Sequence, residues 1–410
     1  MHQHQPAASQ PGGMSASPLI TRNAHPGGTR TVNLHSIRFT GSGSEYFRIW
    51  IVNLLLMIVT LGLYYPWAKV RKLRYFYGNT VVAGYPLDFH GNPLKMLRGF
   101  LLVSVLMILY SVAGRVSPGA GGFAGLVLAV IWPALIRASM QFRLANTSWR
   151  GLRFAFKGSL KDAYMIALMP MLIVIGVVML AGIGMAMLPK GLASLAPIVF
   201  GALMFVSIMA LSPYVWWRLK AYQHNHYALG QLQTSFKAGY AHMLGVFIRS
   251  GLIGLGSLLV GAIAMGMLIS AAGLSASALS DKKAIGAVMA VAMPVFVGMF
   301  ILAQLAQVPY FVSRMQNLVW TQTGNRLVRF KSHLALRPLM WVTFKNWALT
   351  ILTLGFYAPF ATVAMARIKL EAIVIHSRLD PDTLVAQAQQ GGRDAAGDFA
   401  ADLMGIDVGI

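Results

Sequence analysis

The sequence has no cysteine, which excludes disulfides and thiolate chemistry. It is poor in acids: 11 Asp and Glu stand against 34 Lys and Arg, and only 11% of its 410 residues are charged. Soluble domains carry about 25%, so a soluble globular fold is excluded. Only Glu45, Asp88, Asp162 and Asp281 precede residue 371, and none lies inside an apolar run. The carboxylate relay of proton-coupled pumps is therefore missing. A Walker loop, G-x-S-x-G and H-E-x-x-H are missing too, so no catalytic constellation is visible. The chain reads as a non-enzyme, and no cofactor is expected. Met1 to Arg30 lacks the apolar core of a cleavable signal peptide. Its Gly, Pro, Ser, Gln and His content predicts a disordered tail, with His2, His4 and His25 scattered rather than gathered on a metal.

What the chain does have is apolar length, with 57% of its residues hydrophobic. Eight apolar segments are read at about 47–66, 96–116, 120–136, 163–187, 191–215, 244–271, 284–308 and 339–360. About 20 such residues cross a bilayer. The first segment shows the grammar of the rest. Ile49 to Trp67 carries no charge, and Lys69, Arg71, Lys72 and Arg74 follow, interleaved with Trp67, Tyr75 and Tyr77. Rings at headgroup level beside cations make a membrane–water interface, so these four are candidate contacts to anionic lipid headgroups. The net charge of +23 invites nucleic acid as a partner. The cations border apolar spans, however, where positive-inside topology explains them, and no nucleic-acid partner is expected.

The basic connections look alike. Pro66, Pro133, Pro213 and Pro309 are each read as closing an apolar segment. Asn79-Thr80 and Asn146-Thr147 follow the first two prolines at the same distance, then Gly84 and Gly151, then Phe89 and Phe156. This spacing predicts short hairpins turning at glycine. Phe236 and Phe330 continue the series more loosely, and Thr31 to Gly41 looks like a further copy. The terminal segments match most closely. Asn53, Thr60, Leu61, Gly62, Tyr64 and Pro66 correspond to Asn346, Thr353, Leu354, Gly355, Tyr357 and Pro359, always 293 residues apart (346 − 53 = 293).

TLGLYYPWAKVRKLRYFYGNT, its echo TLGFYAPFATVAMARIK and the Asn-Thr hairpins resemble the YjgN-type family of bacterial inner-membrane proteins, a domain of unknown function. The resemblance runs from about Ile37 to Arg378. It implies a multi-pass protein of a bacterial inner membrane and brings no catalytic residue, cofactor or substrate.

The expected fold is an all-α polytopic membrane protein of about six to eight transmembrane helices in repeated two-helix units. Short β-hairpin and amphipathic-helix connections are expected on the cytoplasmic side. A tail (1–30), a repeat-built membrane domain (31–378) and an acidic tail (379–410) divide the chain. Asn53 and Asn346 are candidate intramembrane polar points: either interhelical hydrogen bonds or positions on a solute path. Thr60, Gly62 and Pro66, with Thr353, Gly355 and Pro359, are the matching candidate hinges, since Pro removes a donor and Gly relaxes a helix. Spacing of two places His224 and His226 on one strand face, in an interfacial loop. Lys161-Asp162 is the other nearest approach to a polar cluster, and Gln304 and Gln307 read as capping or snorkelling.

Topology poses a conflict. Three hops between hairpins contain two apolar segments, but Phe39 to Phe89 contains one, as does the run beyond Phe330. If like motifs share a side, the first and eighth segments re-enter at Thr60-Leu61-Gly62 and Thr353-Leu354-Gly355 and pack as a pair, with both termini cytoplasmic. The rival is a single crossing by each. Two functions stand: a conduit or carrier for a small solute or lipid, and a non-transporting scaffold organising anionic lipid or a membrane complex.

Overall fold

The computed structural model describes residues 32–187, 189–271 and 282–390. The expected N-terminal tail with its three histidines, and the chain after 390, lie outside these. Among the described residues, six helices are long and apolar enough to cross a membrane. They form three pairs: α3 (Pro93–Val116) with α4 (Pro118–Ala145), α5 (Leu160–Ala186) with α6 (Ala196–Asn225), and α7 (Tyr240–Ala271) with α8 (Lys282–Thr321). The first and eighth apolar segments behave differently. α1 (Gly43–Val59) turns at Thr60-Leu61-Gly62 into α2 (Tyr65–Gly78), and α9 (Leu336–Leu352) turns at Thr353-Leu354-Gly355 into α10 (Ala358–Glu371).

Both short hairpins return to where they began. β1 (Asn33–Phe39), before α1, pairs antiparallel with β2 (Thr80–Val82), after α2. β10 (Val328–Ser332), before α9, pairs with β11 (Ile373–Ser377), after α10. The remaining strands are β3 (Tyr85–Phe89), β4 (Thr147–Trp149), β5 (Leu152–Phe156), β6 (Tyr227–Leu229), β7 (Leu232–Gln233), β8 (Ser235–Phe236) and β9 (Thr323–Gly324).

The connections were expected to be separate hairpins, but they join one 11-stranded sheet of order β7-β6-β5-β4-β3-β2-β1-β11-β10-β9-β8. Its two end strands are halves of one stretch, Leu232 to Phe236. The Thr234 N–H bonds the Tyr227 carbonyl on one side (2.8 Å), and the Lys237 N–H bonds the Gln322 carbonyl on the other (2.9 Å). The sheet is therefore a closed ring with no free edge, which removes the edge-pairing hazard. Five helical hairpins hang from it. Their contacts follow the same circle, from α1 round to α10, which packs back on α1.

Local chemistry explains the units. Ala83-Gly84 (φ 50 and 85) and Arg150-Gly151 (φ 52 and 80) make two-residue turns with both residues left-handed, the type that matches strand twist. Each descending helix ends twelve residues after a buried proline: 78 − 66, 145 − 133, 225 − 213, 321 − 309 and 371 − 359 all equal 12. Pro133, Pro213 and Pro309, read as closing apolar segments, lie inside α4, α6 and α8, and each helix runs on unbroken beyond its proline. Neighbouring helices in a membrane shelter the freed carbonyls, so an internal proline is tolerated.

Where a strand turns into a rising helix, the corner carbonyl is capped from the preceding descending helix. Gly41 accepts from Arg367 (2.8 Å), Gly91 from Arg74 (3.4 Å), Gly158 from Arg137 (2.8 Å), Ala238 from Trp217 (2.8 Å), and Leu334 from Ser313 (2.7 Å) and Asn317 (3.1 Å). Counted from its proline, every donor sits at +4 or +8, on one face of its helix. The Phe-x-Gly pattern has a steric cause. A Cβ at Gly41 would meet the Phe39 ring at 2.9 Å, one at Gly158 would meet the Phe156 ring at 2.5 Å, and Gly91 faces Phe89 in the same way.

The chain ends on a surprise. Part of the expected acidic tail is a helix, α11 (Pro381–Gln390), with Leu384 and Ala388 buried. It starts beside β1, where Asn33 Nδ2 donates to Asp380 Oδ1 (2.6 Å). There too Arg150 of the β4–β5 turn pairs with Asp382, and the helix runs on to the β6–β7 turn, where Gly230 abuts Ala388. The β6–β7 turn lies on the far side of the ring from β1 and β11. α11 therefore crosses the mouth of the strand ring.

Candidate functional site

The two short hairpins share one tip geometry. Thr60 Oγ1 donates to the Leu56 carbonyl (2.7 Å) and accepts from the Tyr64 N–H (3.0 Å). The Gly62 N–H reaches the Met57 carbonyl (2.7 Å). Thr353 Oγ1 repeats this with Leu349 (2.6 Å) and Tyr357 (2.9 Å), and Gly355 with Thr350 (2.8 Å). Leu61 and Gly62 have φ 49 and 89, Leu354 and Gly355 φ 50 and 95. The turn thus satisfies its own backbone donors while presenting Leu61 (94% exposed) and Leu354 (91%) outward. A turn can sit in hydrocarbon only on such terms.

Pro66 and Pro359 begin α2 and α10 and are buried. Asn53 and Asn346 are buried in α1 and α9. Asn346 Nδ2 donates to the Ala361 carbonyl (3.3 Å), whereas Asn53 Oδ1 has no partner. The two hairpins pack through α1 and α10, with Phe47 on Phe360 (ring centres 5.6 Å apart) and Trp50 on Phe356 (6.3 Å).

Lys69, Arg71, Lys72 and Arg74 are all exposed on α2. Lys69 lies over the Tyr65 ring (5.6 Å), Arg71 over Tyr64 (5.7 Å) and Lys72 over Phe76 (6.0 Å). Arg74 is also the donor to the Gly91 corner. Two apolar grooves open between helices: one of about 540 Å³ at Pro170, Val174, Leu211 and Trp216, and one of about 460 Å³ between α8 and α9 at Leu302, Met340 and Trp341 with Arg337.

The histidine reading needs correction. His224 and His226 lie at the end of α6 and on its cap, not on a strand. His224 is buried, with Nδ1 at 3.0 Å from Thr323 Oγ1, and His226 Nδ1 is 2.8 Å from the Tyr222 carbonyl. Ser159 caps α5, accepting from the Asp162 N–H (3.0 Å) and donating to the Asp162 carboxylate (2.7 Å). Gln307 fills the space over Gly254 in α7. Among the described residues, no three His, Asp or Glu side chains gather as for a metal.

Sequence reasoning missed the ring mouth. Arg150, in the β4–β5 turn, is largely sheltered, with its guanidinium over Tyr85 (4.3 Å) and Trp149 (5.9 Å). Its Nη1 is buried without a partner, and so is His35 Nε2 on β1. Burial lowers the His35 pKa, partly opposed by Asp380. The left-handed pair at Arg150-Gly151 was legible as a turn, but nothing in the sequence joins it to Asp382, 232 residues away.

A family model described as "Bacterial protein of unknown function (DUF898)" matches residues 34–403. The chain is 36% identical over 144 residues to "Inner membrane protein YjgN" of Salmonella typhimurium, covering 34% of this chain and 36% of that protein. It is 31% identical over 180 residues to the protein of the same name from Escherichia coli strain K12, covering 43% of this chain and 45% of that one. Each alignment thus spans less than half of either protein. No solved structure matches. With six helices of membrane length and relatives named for the inner membrane, the chain is a multi-pass inner-membrane protein and belongs to the DUF898 family of bacterial proteins of unknown function.

Proposed function

We propose that the protein is a non-enzymatic conduit or carrier for a lipid or a small amphiphilic solute, moving along the axis of the ring. The observation that carries this reading is closure. Strands and helices both return to their starting point, so a single axis runs through one wall. That wall carries no Asp or Glu in its apolar runs, which favours an amphiphile over an inorganic cation. The Lys and Arg excess on the sheet side supports a cytoplasmic ring and cytoplasmic termini under the positive-inside rule. The five proline-to-strand units are then copies of one ancestral unit, as in many transporters.

The exposed cations of α2 beside Tyr64 and Tyr65 favour a second reading, a scaffold that gathers anionic lipid without moving it. Proteoliposomes separate the two. A conduit lets dithionite reach fluorescent phospholipid beyond the outer-leaflet fraction. A scaffold leaves that fraction unchanged and enriches anionic lipid around the purified protein.

A further inference from the structure

The guanidinium of Arg150 is in an unusual position. It is held by a strained backbone (φ 52) at the rim of the ring and stacked on two aromatic rings. It keeps one nitrogen buried with no partner. A buried donor left unmade is costly, and for a charged group more so. Among the described residues its one carboxylate partner is Asp382, the second residue of α11, whose side chain is 81% exposed. An ion pair with so exposed a partner holds weakly. Cation and rings together make a half-filled anion site, and the chain's own carboxylate fills the other half. His35 Nε2, a second buried group without a partner, lies two residues along β1 from Asn33, which binds Asp380 at the start of the same helix. Both orphan groups therefore flank the first turn of the helix that crosses the mouth. Among the described residues, the rest of that helix buries Leu384 and Ala388.

We propose that Arg150 is the anion-binding residue of the ring mouth, and that Asp382 is a tethered stand-in for the phosphate or carboxylate headgroup of an amphiphile. When that headgroup takes Arg150, α11 loses its anchor and the mouth opens. The tail belongs to the conduit reading, on which the choice of an amphiphile rests. The site itself is measured at equilibrium, where no flux is needed.

The test uses the full chain in nanodiscs of phosphatidylcholine, with oleoyl-lysophosphatidate, monoolein and inorganic phosphate as probes. Asp382→Asn should bind lysophosphatidate at least tenfold more tightly than the parent. Asp382→Asn combined with Arg150→Gln should lose that gain, and Asp382→Asn with Arg150→Lys should keep part of it. Monoolein should respond equally in all four proteins. In the parent, lysophosphatidate should speed amide exchange across 383–390 at least tenfold while the β1–β11 pairing stays protected. That protection also shows that each variant is folded. Equal lysophosphatidate affinity in the parent and Asp382→Asn would overturn the proposal, as would retention of the gain in the Gln double variant. Phosphate alone releasing α11 as well as lysophosphatidate would overturn the assignment to an amphiphile. A protein that binds as expected yet moves no lipid in proteoliposomes would sink the conduit and leave this site standing.

Discussion

The corner at Phe156-Lys157-Gly158 offers a quantitative test of how the units are built. Phe156 is 5% exposed and packs among Met140, Ala163, Ile166 and Tyr222. Phe156→Ala should cost about 3–5 kcal/mol. Gly158→Leu should also destabilise, because its Cβ would lie 2.5 Å from the Phe156 ring and 2.7 Å from Tyr222. Overpacking of this kind costs about 1–3 kcal/mol. The fifth corner suggests the outcome of combining them. There Ser332, and not Phe330 as the sequence spacing suggested, stands where the others have Phe, and a buried Leu334 where three others have Gly. Volume has moved from the strand to the corner. The double variant should therefore be more stable than the sum of the singles by about 1–3 kcal/mol, a coupling usual for touching residues. Equilibrium unfolding in bicelles, read by tryptophan fluorescence, completes the cycle. Strict additivity would refute the argument that the ring of Phe is what demands glycine.

Three further outcomes follow from the geometry. Val59 is eleven residues beyond Arg48 on α1, about 17 Å of helix, so the tip lies near the middle of a core about 30 Å thick. Leu61→Asp or Leu354→Asp should then cost about 3–4 kcal/mol in the same assay, against nearly none if the tips were in water. Asn346→Leu should lose up to about 1 kcal/mol with its bond to Ala361, while Asn53→Leu, whose Oδ1 has no partner, should be neutral or stabilising. Finally, burial depresses the pKa of both His35 and His376 at the β1–β11 seam, with Lys331 and His333 adding to the second and Asp380 opposing the first. The unfolded chain then binds more protons below the ordinary value of 6.5. Melting temperature should fall as pH drops below that point, and His35→Gln should flatten the slope.

Much of this was legible in the sequence because it is local. Apolar length marked the six crossing helices, and the Asn-Thr and Gly spacing marked the hairpins later found as β2–β3 and β4–β5. The conflict between one-segment and two-segment hops already pointed to the paired turns at Thr60 and Thr353. What stayed hidden is long-range. Strands of two to seven residues carry too little pattern to reveal which hairpin pairs with which, so the closed ring could not be read. The corner donors occupy one helix face but differ in type, from Arg137 to Trp217 to Ser313, and so leave no common motif. That one helix runs straight through each of Pro133, Pro213 and Pro309 was not legible, because a proline breaks a helix in water but is sheltered by neighbours in a membrane. The acidic composition around Asp380 and Asp382 concealed a docked helix that buries Leu384 and Ala388.

The central structural claim is that five helical hairpins leave one closed strand ring and return to it, three crossing the bilayer and two turning inside it. Because the chain has no cysteine, single substitutions can be labelled without background. Membrane-impermeant maleimide applied to intact spheroplasts should react with Gly119→Cys at the start of α4. It should react with Gly84→Cys and Gly151→Cys in the sheet turns only after permeabilisation, and with Leu61→Cys and Leu354→Cys in neither case. Labelling of Leu61→Cys or Leu354→Cys from outside intact spheroplasts would mean that those segments cross, and would contradict the ring.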